Sequence, residues 1–546
     1  GYDTAVSTQN FIIQNIVISL INGIADFVLL LLSFVAAESL TRKAFPEHLQ
    51  FWKLWTQDNA TSYQVIGRTV GGYLLIGLDL IFVVVFYMIT ANYFGWWVPS
   101  STLFSPDVVA TPFPWLSAVG MSLHAGFWEE CLFRAIPIAG AVLLSKKYGN
   151  RTAWILFAMI LQAVIFAGAH ANYPSYPSYS RLVELIIPSL FWGFIYIRFG
   201  LLPVIISHFG YDVVWFSLPL FTSTSGDLFF DKLMVILLTL IPILVILRFW
   251  LKNKKIDNIS DSELNSSFVP DKIVQKEKEK SEEIDLELPR YYKISLYSIL
   301  LIGIITSFQY FSKNNYASLN VEISRSEALS LADKFLNDNN IDLDDSWSVL
   351  SNFYAGSIDA SDRFVWQELG DIAYKGLIGS YLENNLWNIR YVRFSGDVNE
   401  KTEEYSVIIN PNGSFNQIRH KVPENSEGSS LDEDIARKIA IDYIMSQYSV
   451  SGFKEISFDS SELPNRKDWS FIFSTLAHSS KSSLGEDLRV KVDIAGDKVV
   501  SSNRFVYIPE SWEREDKNKM TLLTLIRTIC SFIFIFLIIY AAASSL

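Results

Sequence analysis

The sequence predicts an α-helical multi-spanning membrane bundle joined to a separate α+β soluble domain with an internal repeat. Three observations predict it. Half of the 546 residues are hydrophobic and only 19% are charged, a balance too apolar for a wholly soluble chain. Apolar runs long enough to cross a bilayer, which takes about 20 residues, recur along the chain. Between the last two of these runs lies a polar stretch in which a helix-then-strands pattern occurs twice.

The runs fall at 11–38, 68–92, 115–145, 152–170, 182–199, 201–220, 230–251, 291–312 and 518–544. Arg42, Lys43, Lys53 and Arg68 lie between the first and second, while the 93–114 loop holds no Lys or Arg. Lys146, Lys147 and Arg151 follow the third, Arg198 marks the turn before the sixth, and Arg248, Lys252, Lys254 and Lys255 follow the seventh. These positives fall at alternate ends, so the positive-inside rule yields one consistent topology. The expected organisation is an N-terminal span and cytoplasmic loop (1–64), an intramembrane core (65–251), a charged cytoplasmic linker (252–290), a further span (291–312), an extracytoplasmic α+β domain of two repeats (313–516) and a C-terminal span (517–546). The linker, rich in charge and poor in aromatics, is expected to be a flexible solvated tether. The expected location is a bacterial cytoplasmic membrane, with the endoplasmic reticulum as the alternative. Trp96, Trp97 and Trp128 are expected in interfacial aromatic belts.

The net charge is −12, most acids follow residue 255, and no basic stripe is present, which argues against a nucleic-acid partner. Cys131 and Cys530 both lie in apolar runs, so neither a disulfide framework nor a cysteine zinc site is expected. Position 1 is Gly, as expected of a processed chain or a fragment, and no signal-peptide pattern is visible there.

In the polar region, Ser324 to Glu327 form a capping box. Ala328, Leu331, Ala332 and Phe335 then share one helical face. Ala436, Ile439, Ala440 and Tyr443 repeat that spacing, with Ser430 or Asp432 as the cap. Strand-like segments follow each helix, with hairpin signals at Asn412-Gly413 and Gly496-Asp497. Two copies of a helix on an antiparallel sheet resemble the PepSY type of domain.

The stretch "GFWEECLFRAIP" (Gly126 to Pro137) puts three ionisable groups inside an apolar run. A charge at mid-bilayer costs roughly 2.5–3.5 kcal/mol on insertion scales. Glu130 and Arg134 stand four apart with the acid first, the favoured order for a helical ion pair. Glu129 points about 100° away and is left free to act as a base. "FAGAH" ends the fourth run, with Phe166 and His170 four apart; "HFGYD" lies in the sixth, with His208 and Asp212 four apart. Asp26, Asp79 and Glu184 are further acids in or close to apolar runs, without an assigned role.

Together "EECLFR", "FAGAH" and "HFGYD" match the ordered pattern E-E-x-x-x-R, F-x-x-x-H, H-x-x-x-[N/D]. Over residues 65–250 or so the chain resembles the CPBP family of intramembrane proteases, which includes type II CAAX prenyl endopeptidases and bacteriocin-processing or immunity proteins. The resemblance implies a helical membrane core and hydrolysis of peptide bonds in membrane-associated, including lipidated, substrates. It implies Glu129 as general base, with His170 and His208 orienting the attacking water or holding a metal. Glu130 and Arg134 would support the catalytic helix, and Phe166 would pack beside the site. Asp212 stands where the prenyl-protease branch commonly has Asn. An ionised Asp cannot donate to an oxyanion, so it is expected to orient His208 or join the water site. Two imidazoles and a carboxylate (Glu129, His170, His208) also make a plausible Zn2+ set, so a metalloprotease and a metal-free, glutamate-activated water both stand. The alternatives to an enzyme are a non-catalytic membrane scaffold that keeps this fold and a transporter. A transporter calls for inverted repeats, which the membrane half lacks.

Overall fold

The computed structural model describes residues 6–97, 106–173, 175–268, 321–354, 359–448, 452–475 and 488–545, with Ser298, Ile305 and Gly356. The expected span 291–312 and the second part of the linker lie outside the described residues, those single positions apart.

The membrane half is built of long helices: α1 Thr8–Ala44, α2 Tyr63–Phe94, α3 Pro114–Glu129, α4 Ile136–Tyr148, α5 Arg151–Ala169, α6 Ser180–Phe199, α7 Leu201–Thr222, α8 Phe229–Thr239 and α9 Ile241–Asn253. Local chemistry sets their ends. The Ser7 and Ser62 hydroxyls cap α1 and α2 by accepting from Asn10 N and Val65 N, and Gly95, at φ 64°, ends α2 in the left-handed conformation. Among the described residues six helices, including the C-terminal one, are long and apolar enough to cross a membrane. The expected run 230–251 is instead two helices, α8 and α9, meeting at 63°. Pro242, in the first turn of α9, has no N–H to continue a straight helix.

The central helix is α7, and close backbone approach makes it so. A Cβ on Gly72 of α2 would stand 2.8 Å from Ile206 Cβ, and one on Gly126 of α3 would stand 2.6 Å from Phe209 N. Small residues in α2 and α3 thus let two helices press onto α7.

One end of the bundle gathers the positive charge. Lys146 Nζ donates to Lys43 O at 2.8 Å, Arg68 Nε to Phe199 O at 2.9 Å and Lys252 Nζ to Gln57 Oε1 at 3.0 Å. The start of the linker does not leave this end as a free tether. Gln50 Nε2 donates to Leu264 O at 2.8 Å, Tyr63 N to Asp257 O at 3.1 Å and Asn265 Nδ2 to Phe45 O at 3.1 Å. Residues 254–268 are therefore docked by their own polar groups, which find buried partners in the 45–63 loop.

The soluble half contains two four-stranded antiparallel sheets, ordered β1-β2-β3-β4 and β5-β6-β7-β8. In the first repeat these are Trp347–Tyr354, Leu386–Arg393, Glu404–Ile409 and Phe415–Lys421; in the second, Phe453–Leu463, Arg466–Thr475, Leu488–Ala495 and Lys498–Val506. The helix α10 (Arg325–Asp338) lays Ala328, Ala332 and Leu336 against Trp387, Ile389 and Val407. The expected capping box of Ser324 and Glu327 is present. The first repeat also holds α11 (Ala360–Leu377) between β1 and β2, and a short α12 (Val398–Thr402). In the second repeat α13 (Glu433–Gln447) lays Ala436, Ala440 and Ile444 on Phe471, Val490 and Val492. Asp432 is its N-cap residue, although its side chain makes no capping bond. Both hairpin signals are turns, with Gly413 at φ 84° and Gly496 at φ 63°. The last helix, α14 (Glu510–Ser545), runs back along α1 and α5.

This domain sits on the end of the bundle opposite the positive one. Ser324 Oγ donates to Asp227 Oδ2 at 2.9 Å, Phe353 N to Asp107 Oδ1 at 2.9 Å and Trp366 Nε1 to Gly95 O at 3.2 Å. Trp97 is not in an interfacial belt. It is buried, stacked on Trp366 at 5.8 Å and edge-on to Tyr374 at 5.5 Å, because the docked domain offers its ring an aromatic pocket. Trp128 likewise turns inward, donating to Ser33 Oγ at 3.2 Å.

Candidate active site

The helix from Pro114 to Tyr148 is interrupted at the two adjacent acids. Glu130–Ala135 form a π-helical turn, which closes with Ile136 N–H bonded to Cys131 O, five residues back. Such turns cluster at functional sites. Here the turn spans the segment from which Glu130 and Arg134 project into the bundle.

Glu130 and Arg134 are fully buried, with the Arg134 Nε 3.4 Å from Glu130 Oε2. The guanidinium also lies over the Phe166 ring at 4.2 Å and the Trp192 ring at 5.2 Å. Desolvated cation–π contacts contribute about 2 kcal/mol each, which helps offset the burial of the charge. The other carboxylate oxygen, Glu130 Oε1, accepts from His208 Nδ1 at 2.7 Å. A carboxylate only accepts, so Nδ1 carries the proton and Nε2 faces the other way.

Glu129 stands there. Its Oε2 is 3.7 Å from His208 Nε2 and its Oε1 is 4.0 Å from His170 Nε2. His170, just past the end of α5, is held in the same fashion: Nδ1 bonds the Phe166 carbonyl at 2.9 Å. Both imidazoles are thus anchored through Nδ1 and turn Nε2 to one carboxylate. Asp212 Oδ2 lies 3.6 Å from His208 Nε2, one turn along α7. Phe166 fills the space between the rings, 4.8 Å from His170 and 6.3 Å from His208. All seven residues singled out by the motifs come together, from α3 and its π turn, α5 and α7.

Residues without a motif complete the site. Trp192 of α6 stacks on the His208 ring at 4.8 Å and 24°. Its Nε1 donates to both oxygens of buried Asp79, at 3.2 and 3.1 Å, and Ser207 Oγ donates to the same acid at 2.7 Å. Asp79 therefore holds the tryptophan that backs the histidine. Beside His170, the Tyr173 ring is 5.9 Å away, and Arg181 lies over that ring at 5.1 Å. Arg181 Nη1 pairs with Glu184 at 2.7 Å, and Tyr87 also donates to Glu184. Asp26, by contrast, is exposed on α1, away from the site. The intramembrane acids Asp79 and Glu184 are visible signals, and so is the spacing of Arg181 and Glu184; Trp192, Ser207 and Tyr87, distant in sequence, are not.

Zinc bound tetrahedrally at about 2.0–2.1 Å holds its donors roughly 3.3 Å apart. The Nε2–carboxylate separations of 3.6, 3.7 and 4.0 Å exceed this. Among the described residues no group of three or more His, Cys, Asp or Glu side chains is placed to hold a metal ion. As placed, these donors stand wider than a tetrahedral zinc site, and the steps proposed below use a metal-free water.

An acid and two anchored imidazoles converge here from three apolar helices of the bundle. Residues 111–214 match the family model described as type II CAAX prenyl endopeptidase, Rce1-like. Over these residues the chain is similar to that CPBP family of intramembrane CAAX-type proteases. The chain is also similar to the sporulation-killing factor biosynthesis protein SkfC of Bacillus subtilis (strain 168), 27% identical over 121 residues. That similarity covers 22% of this chain and 23% of the relative, so it spans about a quarter of the relative's length. No solved structure matches the chain.

Proposed function

We propose that the protein is an intramembrane endopeptidase that hydrolyses peptide bonds of membrane-associated proteins or peptides, lipidated ones included, with a water activated by Glu129. The observation that carries this reading is the pair of Nε2 atoms facing Glu129 at 3.7 and 4.0 Å. These gaps are long for direct hydrogen bonds and suit one oxygen atom touching all three groups. Glu129 takes a proton from that water as it attacks the scissile carbonyl. His170, with Nε2 as its lone-pair nitrogen, orients the water. His208 accepts from or donates to the same oxygen through Nε2, while Glu130 keeps its ring in place. Asp212 fixes the face of His208 nearest the substrate. Proton transfer by a positioned carboxylate contributes typically 10²–10⁴-fold. With the positive end of the bundle taken as cytoplasmic, we assign the 321–509 domain to the extracytoplasmic side of a bacterial cytoplasmic membrane.

The test is cleavage of a membrane-inserted reporter peptide by protein reconstituted in liposomes, with wild type, Glu129→Gln and His208→Ala, each with and without chelator. Glu129→Gln keeps shape and removes the base, so a rate loss of about 10²–10⁴-fold is expected in a folded protein. Undiminished cleavage by Glu129→Gln would leave the non-catalytic scaffold as the better description. A chelator-dependent loss restored by zinc would overturn the metal-free water.

A further inference from the structure

Hydrolysis of an amide puts negative charge on the carbonyl oxygen, and a donor aimed at that oxygen stabilises it. The side chains around Glu129 are short of such donors. Glu129 and Asp212 are carboxylates, which only accept when ionised. The His170 ring is bonded through Nδ1 to the Phe166 carbonyl, and the His208 ring through Nδ1 to Glu130. His208 Nε2 stands between the two carboxylates, 3.7 Å from Glu129 and 3.6 Å from Asp212. Arg134 is fully buried against Glu130, Phe166 and Trp192. Arg181 is tied to Glu184 through Nη1.

Tyr173 can supply the missing donor. It lies half-buried in the loop just past His170, its ring 5.9 Å from the His170 ring and tilted by 39°. The Arg181 guanidinium covers that ring at 5.1 Å. Three residues on, the loop is pinned where Tyr176 and Trp97 exchange backbone hydrogen bonds. The Tyr173 hydroxyl itself bonds to no group among the described residues. Burial pushes the phenol above its ordinary range; Arg181 opposes this, and the charges of Glu129 and Asp212 add to it. The hydroxyl therefore lies within reach of both acids that flank the proposed water, and it keeps the proton that a donor needs.

We propose that Tyr173 is a catalytic residue whose hydroxyl donates a hydrogen bond to the carbonyl oxygen of the scissile bond as that oxygen becomes an oxyanion. The proposal rests on the protease reading and adds a residue to it. Attack by water forms the new C–O bond and moves the carbonyl π pair onto the oxygen, while Glu129 takes the proton of the water. Tyr173 keeps its own proton throughout. When the pair returns, the C–N bond breaks and the nitrogen leaves with the proton held by Glu129.

The test uses full-length protein and the reporter peptide cut by the wild type. Tyr173→Phe keeps the ring beside His170 and under Arg181, so Tm is expected to stay unchanged. Its kcat in liposomes is expected to fall about 10²-fold, the loss that follows removal of one oxyanion donor, with KM little changed. Tyr179→Phe, which removes an exposed phenol from the same loop, is the control and is expected to cleave as wild type does. A reporter peptide with its scissile amide replaced by a phosphonate carries the tetrahedral anion. Tyr173→Phe is expected to bind this analogue about tenfold more weakly than wild type, because a charge-assisted hydrogen bond is removed. The unaltered peptide, measured by fluorescence anisotropy on Glu129→Gln and Glu129→Gln/Tyr173→Phe protein, is expected to bind both equally. Wild-type kcat in Tyr173→Phe overturns the proposal. So does an equal loss of affinity for the peptide and the phosphonate, which would make Tyr173 a packing residue. A wild type that cuts no peptide would instead remove the protease reading, and this proposal with it.

Discussion

Glu130 Oε1 accepts the Nδ1 proton of His208 at 2.7 Å, joining the π turn to α7 across 78 positions of sequence. The same carboxylate faces Arg134 from its other oxygen. One buried acid thus has two duties: it neutralises a cation and fixes the His208 ring. Replacing it by Ala leaves both the guanidinium and the imidazole without their partner in a fully buried place. Breaking one side of a buried pair costs about 3–5 kcal/mol. Glu130→Ala is expected to lower Tm markedly and to abolish cleavage. Glu130→Gln keeps an acceptor for Nδ1 and is expected to retain more of the fold while losing activity. Thermal unfolding and cleavage measured on both variants check this; equal stability of Glu130→Ala and wild type would remove the structural duty.

Part of this arrangement is legible in sequence and part is not. The spacing of Glu130 and Arg134 announces their pairing because both lie on one helix. The bond from Glu130 to His208 is invisible, since it depends on how α3 and α7 cross. Helices, hairpins and the repeat are readable for the same local reason: capping at Ser324 and the turn at Gly413 are decided within a few residues. Trp97 and residues 254–268 misled because their partners lie elsewhere. A tryptophan at a helix end reads as a membrane anchor until Trp366 covers it, and a charged stretch reads as a tether until the 45–63 loop offers it acceptors.

Gly126 is one such crossing point. Any Cβ there would meet Phe209 N at 2.6 Å and Cα at 2.8 Å, backbone atoms that cannot rotate away. Gly126→Ala is expected to push α3 from α7 and to widen the gap between Glu129 and His208. Overpacking costs typically about 1–3 kcal/mol, and a 1 Å misplacement can cost about 10²-fold in rate. Gly120→Ala, on the same helix with nothing within 4 Å of the added carbon, is the control and is expected to behave as wild type. Parallel measurement of kcat and Tm on the two variants decides the matter.

The soluble domain carries its own pH dependence. Burial pushes the Asp362 carboxyl in α11 up from its ordinary range to about 7, against the bond from Asp359 N–H and the charge of Arg363. A folded-state value above the unfolded one of about 3.9 means stability is fully present below pH ~4 and is lost as pH rises through about 7. Asp362→Asn removes the ionisation and keeps an acceptor for the capping box. It is expected to raise stability at pH 8 by on the order of 2–4 kcal/mol and to flatten the profile between the two values. Denaturant midpoints of both proteins at acid and mildly alkaline pH test this; parallel profiles would show that Asp362 is not the group responsible.

Trp97 and Tyr176 exchange two backbone hydrogen bonds, of 2.6 and 2.7 Å, and so tie the loop that begins at His170 to the end of α2. The Trp97 ring in turn stacks on Trp366, whose own indole N–H reaches Gly95 O. The soluble domain therefore braces the loop that carries one of the two imidazoles, although none of its described residues lends a side chain to the site. Trp366→Ala removes the stacking partner and the bond to Gly95 while leaving every membrane helix intact. With the loop less restrained, His170 is expected to sample positions about 1 Å from its place, and kcat to fall by up to about 10²-fold. In the proposed mechanism His170 orients water and does not bind the peptide, so KM is expected to change little. Trp366→Phe, which keeps a ring on Trp97, is expected to recover most of the rate. A Trp366→Ala protein with wild-type kcat would show that the brace serves only to dock the two halves.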